Sequence, residues 1–379
     1  MEKLLILFIL IVVTSGFAQD HFVIENVRLF DGDTLYNQKF IEVKDGLIAS
    51  ISDNLKNSDI KTYDGSGKTL IPALSNAHVH AWAPINIKES AKAGVLNVFD
   101  MHGFERYQYQ LRAFKDSTNY ANYYAAGAAA SAPDGHGAQY GFPTPTLTEV
   151  TEAKQFIADR VEAGSDYIKI IVEPWKATLS MDVVSALIEE AHRAEKLAVV
   201  HVSHLKDAKS VILNGADGLV HIWPDEAISI TTLDSLKKSN TFFVIPTALT
   251  TIRAQKYMAE NGLTQEKSMT EEEILSEIKK LYDNNIPILA GTDPPNLNIN
   301  YGTDLYEELK LFSKAGLPNL EVLKTATSNV ADAFRIKNVG RIVIGQKADM
   351  ILIDGNPLEN IEDISNIEAI WKNGKKLDQ

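Results

Sequence analysis

From residue 73 to residue 338 the chain repeats one pattern, a short apolar run closed by a polar or small residue and followed by a segment with apolar positions at helical spacing. The runs end near His80, Gly103, Ser131, Glu173, Ser203, Trp223, Leu249 and Asp293. Apolar strands that alternate with amphipathic helices imply parallel strands joined by helical crossovers. Eight such units, in a span close to the usual length of about 250 residues, predict an α/β chain built on a closed (β/α)8 TIM barrel. The helices between them carry their own signals. Thr270 and Glu273 have capping-box spacing ahead of Ile274, Ile278 and Leu281, which share one face of a helix expected to reach Asn284. A second helix is expected from Met181 to Lys196, with Val183, Leu187 and Ala191 aligned.

On both sides of this region the period changes to that of short strands. Phe22 to Ile24, Val27 to Phe30 and Phe40 to Val43 alternate up to turns at Asp31-Gly32 and Asp45-Gly46. The pattern returns in Gly340 to Val343, Asp349 to Asp354 and Ile367 to Trp371, with turns at Asp354-Gly355 and Asn373-Gly374. The expected organisation is therefore a barrel over residues 73–338 inserted into a small β-sandwich formed by residues 19–72 and 339–379. Residues 1–18 read as a cleaved secretory signal: Lys3 precedes the apolar run Leu4 to Val13, and Gly16-Phe17-Ala18 offers small residues at the cleavage site. That run falls well short of the roughly 20 residues that span a bilayer. A secreted or periplasmic location follows, with no membrane attachment after signal cleavage.

The sequence holds no cysteine, which excludes disulfides, thiolate nucleophiles and Cys-rich zinc sites. Any metal must be held by histidine, carboxylate or something less usual. A net charge of -13 has the wrong sign for nucleic acid or an anionic lipid surface. The expected partner is a small-molecule substrate, and a homo-oligomer is left open.

Nine histidines are present, and their placement is uneven. His78 and His80 flank Val79 at the end of the first barrel strand, so both imidazoles project to the same side. His201 closes the fifth apolar run, His221 the sixth and Asp293 the eighth. The C-terminal ends of barrel strands are where such enzymes place ligands and catalytic groups. His102 and His136 follow the second and third runs and are candidates for substrate contact. His204 is a substitute ligand if the fifth strand ends later, and His192 and His21 are expected in solvent. Arg106, Arg112 and Arg253 are possible anchors for a substrate carboxylate.

Lys169 lies inside the apolar fourth run, Tyr167 to Val172, where an unpaired ammonium is costly to bury. One reading pairs it with a carboxylate such as Glu173 or turns it outward between helices. The other has burial depress its pKa, so that the free amine takes up carbon dioxide and the carbamate bridges two metal ions.

The set His78, His80, Lys169, His201, His221 and Asp293 resembles the amidohydrolase superfamily of metal-dependent hydrolases, as do the segments Leu70 to His80, Gly345 to Asp349 and Asp354 to Leu358. The resemblance implies that His78 and His80 hold a more buried ion and that His201 and His221 hold a more exposed one. It further implies that carbamylated Lys169 bridges the two and that Asp293 binds the first ion and handles protons. Tyr167 to Ile170 with Asp134 to Gly137 look most like the imidazolonepropionase-like branch that includes Xaa-Pro dipeptidases. The chain departs from that branch where Asp134 replaces a glycine, where Val220 replaces a glutamate before His221, and where Pro294-Pro295 follows Asp293.

The implied enzyme cleaves an amide or peptide-type C–N bond. Two divalent ions, zinc by default for a His-rich site, lower the pKa of a bridging water and polarise the carbonyl. Asp293 passes a proton to the leaving nitrogen, and His136 orients the carbonyl or stabilises the oxyanion. The alternatives are a mononuclear deaminase or cyclic-amide or lactone hydrolase with Lys169 unmodified, and, last, a non-catalytic binding protein.

Overall fold

The chain was analysed as a computed structural model that describes residues 21–54, 60–263 and 268–378. The expected signal segment lies outside the described residues. In chain order the strands are β1 (His21–Phe30), β2 (Leu35–Lys44), β3 (Leu47–Ser52), β4 (Lys61–Asp64), β5 (Thr69–Pro72), β6 (Leu74–Val79), β7 (Val95–Asp100) and β8 (Asn122–Ala125). They continue as β9 (Ile168–Ile171), β10 (Ala198–His201), β11 (Gly218–Val220), β12 (Phe243–Ile245), β13 (Met350–Ile353), β14 (Ile367–Lys372) and β15 (Lys375–Lys376).

Both chain ends contribute to one sheet, in the order β15-β14-β13-β5-β1-β2-β3, with β4 beside β1. The hairpins use the two-residue turns that the sequence signals. Asp45 and Gly46 lie at φ 56 and 82, and Asn373 and Gly374 at φ 51 and 72, the left-handed pair that matches strand twist. The sheet curls on itself, because Phe22 of β1 stacks on Trp371 of β14 at 5.6 Å although two strands separate them. Ile24, Leu29, Ile41, Leu70 and Met350 fill the core beneath. Residues 340–343 do not form the expected strand. Gly340 is left-handed, with the Thr327 carbonyl where a Cβ would sit; Ile342 reaches across with its N–H on the Asp31 carbonyl at 2.9 Å, and Arg341 with its side chain on Asp33 at 2.7 Å.

The middle of the chain is parallel β-structure, β6-β7-β8 and β9-β10-β11-β12. The expected third run is interrupted. It begins as β8, breaks at Gly127 (φ 77), where a Cβ would meet Gln108 Nε2 at 2.5 Å, and resumes at Ala130, which bridges Ile170 of β9. The seventh strand stops at Ile245 rather than near Leu249, because the amides of Ala248 and Leu249 donate to the Glu308 carboxylate (2.9 and 2.8 Å) and start the helix Ala248–Glu260. Residues 288–293, the expected eighth run, are held by isolated bonds to the strands on each side. Leu289 N–H donates to the Val244 carbonyl (3.0 Å), Ala77 N–H to Ala290 (2.8 Å) and Asp293 N–H to His78 (2.8 Å).

The expected helices form, slightly shorter. Glu271–Asp283 carries the Thr270 and Glu273 capping box and buries Ile274, Ile278 and Leu281. Met181–Arg193 ends before Lys196 because Glu195 turns left-handed at φ 57. Two apolar layers result. Ile168, Ile170, Val200 and Leu219 pack against helices, while Tyr167, Val199, Val220, Phe243 and Phe334 pack together as a separate cluster. The alternation of β9 therefore sets Lys169 on the side of Tyr167, away from the helix layer.

Lys372 ties the terminal sheet to the parallel region. Its side chain is fully buried, and Nζ donates to the carbonyls of Lys115, Ser117 and Tyr120 at 3.1, 3.0 and 2.5 Å. Lys372→Met keeps the aliphatic stem and removes the donor to three part-buried carbonyls. Urea unfolding should show a loss of about 2–3 kcal/mol; unchanged stability would mean that the contact contributes nothing.

Candidate metal centre

Strand geometry brings five of the histidines into an arc. His80 and His78 have ring centroids 5.2 Å apart, His78 and His221 5.1 Å, His221 and His201 4.5 Å, and His201 and His136 4.9 Å. Asp293 faces the first two, with Oδ1 3.0 Å from His80 Nε2 and 3.3 Å from His78 Nε2. One donor atom from each of His78, His80 and Asp293 lies within 4.8 Å of the others, the spacing of a group that can hold a metal ion. His221 and Asp293 both sit in the left-handed region, at φ 73 and 61. Such conformations cost about 1–3 kcal/mol each and persist where surrounding structure enforces them, characteristically at functional sites.

Three of the rings are aimed by a bond on the outer nitrogen. His80 Nδ1–H points to the His102 carbonyl (3.2 Å). The Thr247 hydroxyl donates to the Pro246 carbonyl (2.8 Å), so Thr247 Oγ1 accepts from His221 Nδ1 (2.6 Å). His201 Nε2 meets the Glu173 carboxylate (2.9 Å). For His201 and His221 the other nitrogen then keeps its lone pair toward the centre, the tautomer a metal ligand needs, whereas His80 Nε2 faces Asp293 Oδ1. Burial drives the pKa of His78, His201 and His221 well below the ordinary value, so these rings are neutral. Burial also opposes the charge on His80, but the bond and charge of Asp293 outweigh it and raise this one.

Lys169 is 2% exposed and its Nζ has no hydrogen-bond partner. Burial pulls its pKa down to about 7, against the opposing charge of Asp293. The pairing with Glu173 does not form: that carboxylate is taken by His201 and by the Ser203 hydroxyl at 2.6 Å. Both ring nitrogens of His78 are likewise buried without a hydrogen-bond partner. Orphaned nitrogens beside a buried carboxylate are the donor set a divalent cation satisfies, so the residues present fit a metal.

Other expectations fare differently. His136 lines the cavity, its pKa lowered by burial. His102 also lines it but is locked in place, accepting from Ala129 N–H (2.9 Å) and reaching the Gly137 carbonyl (3.2 Å). His204 stands at the start of the helix Leu205–Leu213, bonded to Ser203 Oγ at 3.0 Å, and lies outside the histidine arc. His192 is exposed as expected and His21 is half-buried; each is paired at 2.8 Å, with Asp217 and Glu42. None of the three arginines lines the cavity: Arg112 is bound to Asp166 (2.7 Å), Arg253 to Asp304 (3.1 Å), and Arg106 is exposed. Sequence reasoning missed Glu173 as the partner of His201, Thr247 behind His221, and Asn296, whose Nδ2 donates to Asp293 Oδ1 at 2.9 Å. The only sequence signal for Asn296 is its place three residues after Asp293.

Residues 69–377 match the model of the amidohydrolase family. The chain belongs to that family. Ochratoxinase of Aspergillus niger is 24% identical over 67% of this chain, and the match spans 59% of the length of that relative, less than two thirds of it. Among solved structures, a Xaa-Pro dipeptidase with bound methionine in the active site superposes with a TM-score of 0.80 at 20% identity, covering 95% of this chain and 100% of that one. A putative prolidase from Bifidobacterium longum gives 0.79 at 20% identity, with 95% of each chain covered. At these identities the likeness establishes a shared fold. In this amidohydrolase the outer carboxylate on His201 is a local feature with a measurable consequence. Glu173→Ala should weaken divalent-ion affinity about 10–100-fold in a chelator-competition titration, with Glu173→Gln intermediate; equal affinities would show that Glu173 does not orient a ligand.

Proposed function

We propose that the protein is a metal-dependent amidohydrolase that cleaves an amide or peptide-type C–N bond of a small molecule. The observation that carries this reading is Lys169, a buried amine without a partner among four histidines and Asp293. In this reading the parallel strands and residues 288–293 make a closed (β/α)8 barrel over residues 73–338. The bonds of 288–293 to both β12 and β6 support closure. The curled terminal sheet serves as the β-sandwich formed by residues 19–72 and 339–379. Residues 1–18 serve as a signal that directs the chain to the periplasm or outside the cell. No helix among the described residues is long and apolar enough to cross a membrane.

His78, His80 and Asp293 would hold one ion and His201 and His221 a second, with Lys169 between them as a carbamate. The modification balances: the ammonium gives one proton to water, the freed lone pair adds to the carbon of carbon dioxide as a C=O π pair moves onto oxygen, and the nitrogen gives a second proton to water, so a cation becomes an anion with two protons released. Bound divalent ions, zinc by default, supply an acidified water and a polarised scissile carbonyl. The chain's own groups do the rest. Asp293 accepts a proton and returns it to the leaving nitrogen, Asn296 holds its carboxylate, and His136 stands where it can donate to the carbonyl oxygen. A one-ion reading has its own support, since His78, His80 and Asp293 already form a compact group without Lys169.

Metal stoichiometry with activity separates the two. Lys169→Ala should lower bound metal from two ions per chain to one and cut turnover of N-acyl amino acids and dipeptides by about 10³-fold or more, since each metal effect is worth several kcal/mol of barrier. Full activity in that variant would overturn the carbamate model.

A further inference from the structure

The proposed ligands occupy only the floor of a cavity of about 780 Å³. Its walls change character with height. The helix Ala248–Glu260 lays Thr250, Thr251, Ala254, Tyr257 and Met258 along the cavity, a spacing of one, four, seven and eight residues that forms a single helical stripe. The stripe starts polar at the floor, where the Thr250 hydroxyl donates to the Thr292 carbonyl at 2.6 Å, and becomes apolar outward. Trp175, beyond the end of β9, and Leu263 join it.

These outer side chains are not covered by protein. Trp175 is 59% exposed, Tyr257 55% and Leu263 60%, yet all three line the same concavity. Scattered exposed apolar residues are ordinary, but several converging on the mouth of a cavity mark a binding wall. The wall is held, since His136 meets the Trp175 ring at 5.7 Å and Lys176 approaches it at 5.3 Å. The volume lies high in the range of roughly 300–1,000 Å³ that takes drug-sized ligands, more than a simple dipeptide fills. Lys169 on the floor is the one lysine or arginine among the described residues lining the cavity; the outer side chains Ala254, Tyr257, Met258 and Leu263 offer apolar surface that favours a neutral group, with the Lys176 ammonium set against the Trp175 ring.

We propose, resting on the amidohydrolase reading of the floor, that the substrate is a small amide carrying a large neutral aryl or alkyl group. That group sits between Trp175, Tyr257, Met258 and Leu263 while the scissile carbonyl reaches the histidines.

The test is a series of anilides of increasing acyl length, from acetanilide to decananilide, with a carboxylate-terminated analogue of the longest. Calorimetric affinity and turnover are measured on the metal-loaded protein. Affinity should tighten by up to about fourfold per added methylene until the wall is filled, from about 0.8 kcal/mol for each buried CH2, and the carboxylate-terminated analogue should bind more weakly than its neutral parent. Trp175→Ala combined with Tyr257→Ala should flatten the series. Equal affinity across the series, no binding by any member, or preference for the carboxylate would overturn the proposal. Tightening affinity without turnover would instead contradict the catalytic reading and leave the wall assignment standing. Turnover with no dependence on length would do the reverse.

Discussion

An ammonium group buried in an apolar strand without a counter-charge is among the costliest placements a chain can make. Lys169 is in that position, with helix-packed Ile168 and Ile170 on either side in sequence and a fully engaged Glu173 nearby. Burial resolves part of the conflict by bringing its pKa to about 7, so a neutral amine is well populated at ordinary pH. The rest of the site is arranged around that amine. Three rings are fixed by bonds on their outer nitrogens, and Asp293 is fixed by His80 and Asn296. The His78 nitrogens and the Lys169 amine remain buried without hydrogen-bond partners beside Asp293, an arrangement that a bound cation would relieve.

The parts of this arrangement that could be read from the sequence are those set by period. His78 and His80 share a face because side chains alternate along a strand. Lys169 stands out because its neighbours are apolar, and His201, His221 and Asp293 each close an apolar run. The capping box at Thr270 was legible for the same reason, since it depends on residues three apart. What sequence period does not encode is contact between distant strands. Glu173 was visible only as a neighbour of Lys169 in sequence, whereas the parallel pairing of β9 with β10 delivers it to His201. The arginines were equally undetermined, and packing sends Arg112 and Arg253 to Asp166 and Asp304. The break in the third strand falls at Gly127, which is left-handed and leaves no room for a Cβ beside Gln108 of a neighbouring helix.

The cavity divides chemistry from selection. Its floor is built on strand ends and adjoining residues whose rotamers are fixed by backbone carbonyls, hydroxyls and a carboxylate, as a preorganised site requires. Its upper wall comes from one helix and the segment after β9. The apolar side chains of Ala254, Tyr257 and Met258 line the part of the cavity away from that floor.

The most direct measurement of the central claim is a crystal structure of the protein loaded with zinc in the presence of bicarbonate. The account predicts a carboxyl group on Lys169 Nζ bridging two ions, one held by His78, His80 and Asp293 and the other by His201 and His221. An unmodified Lys169 pointing away from the ions would contradict it.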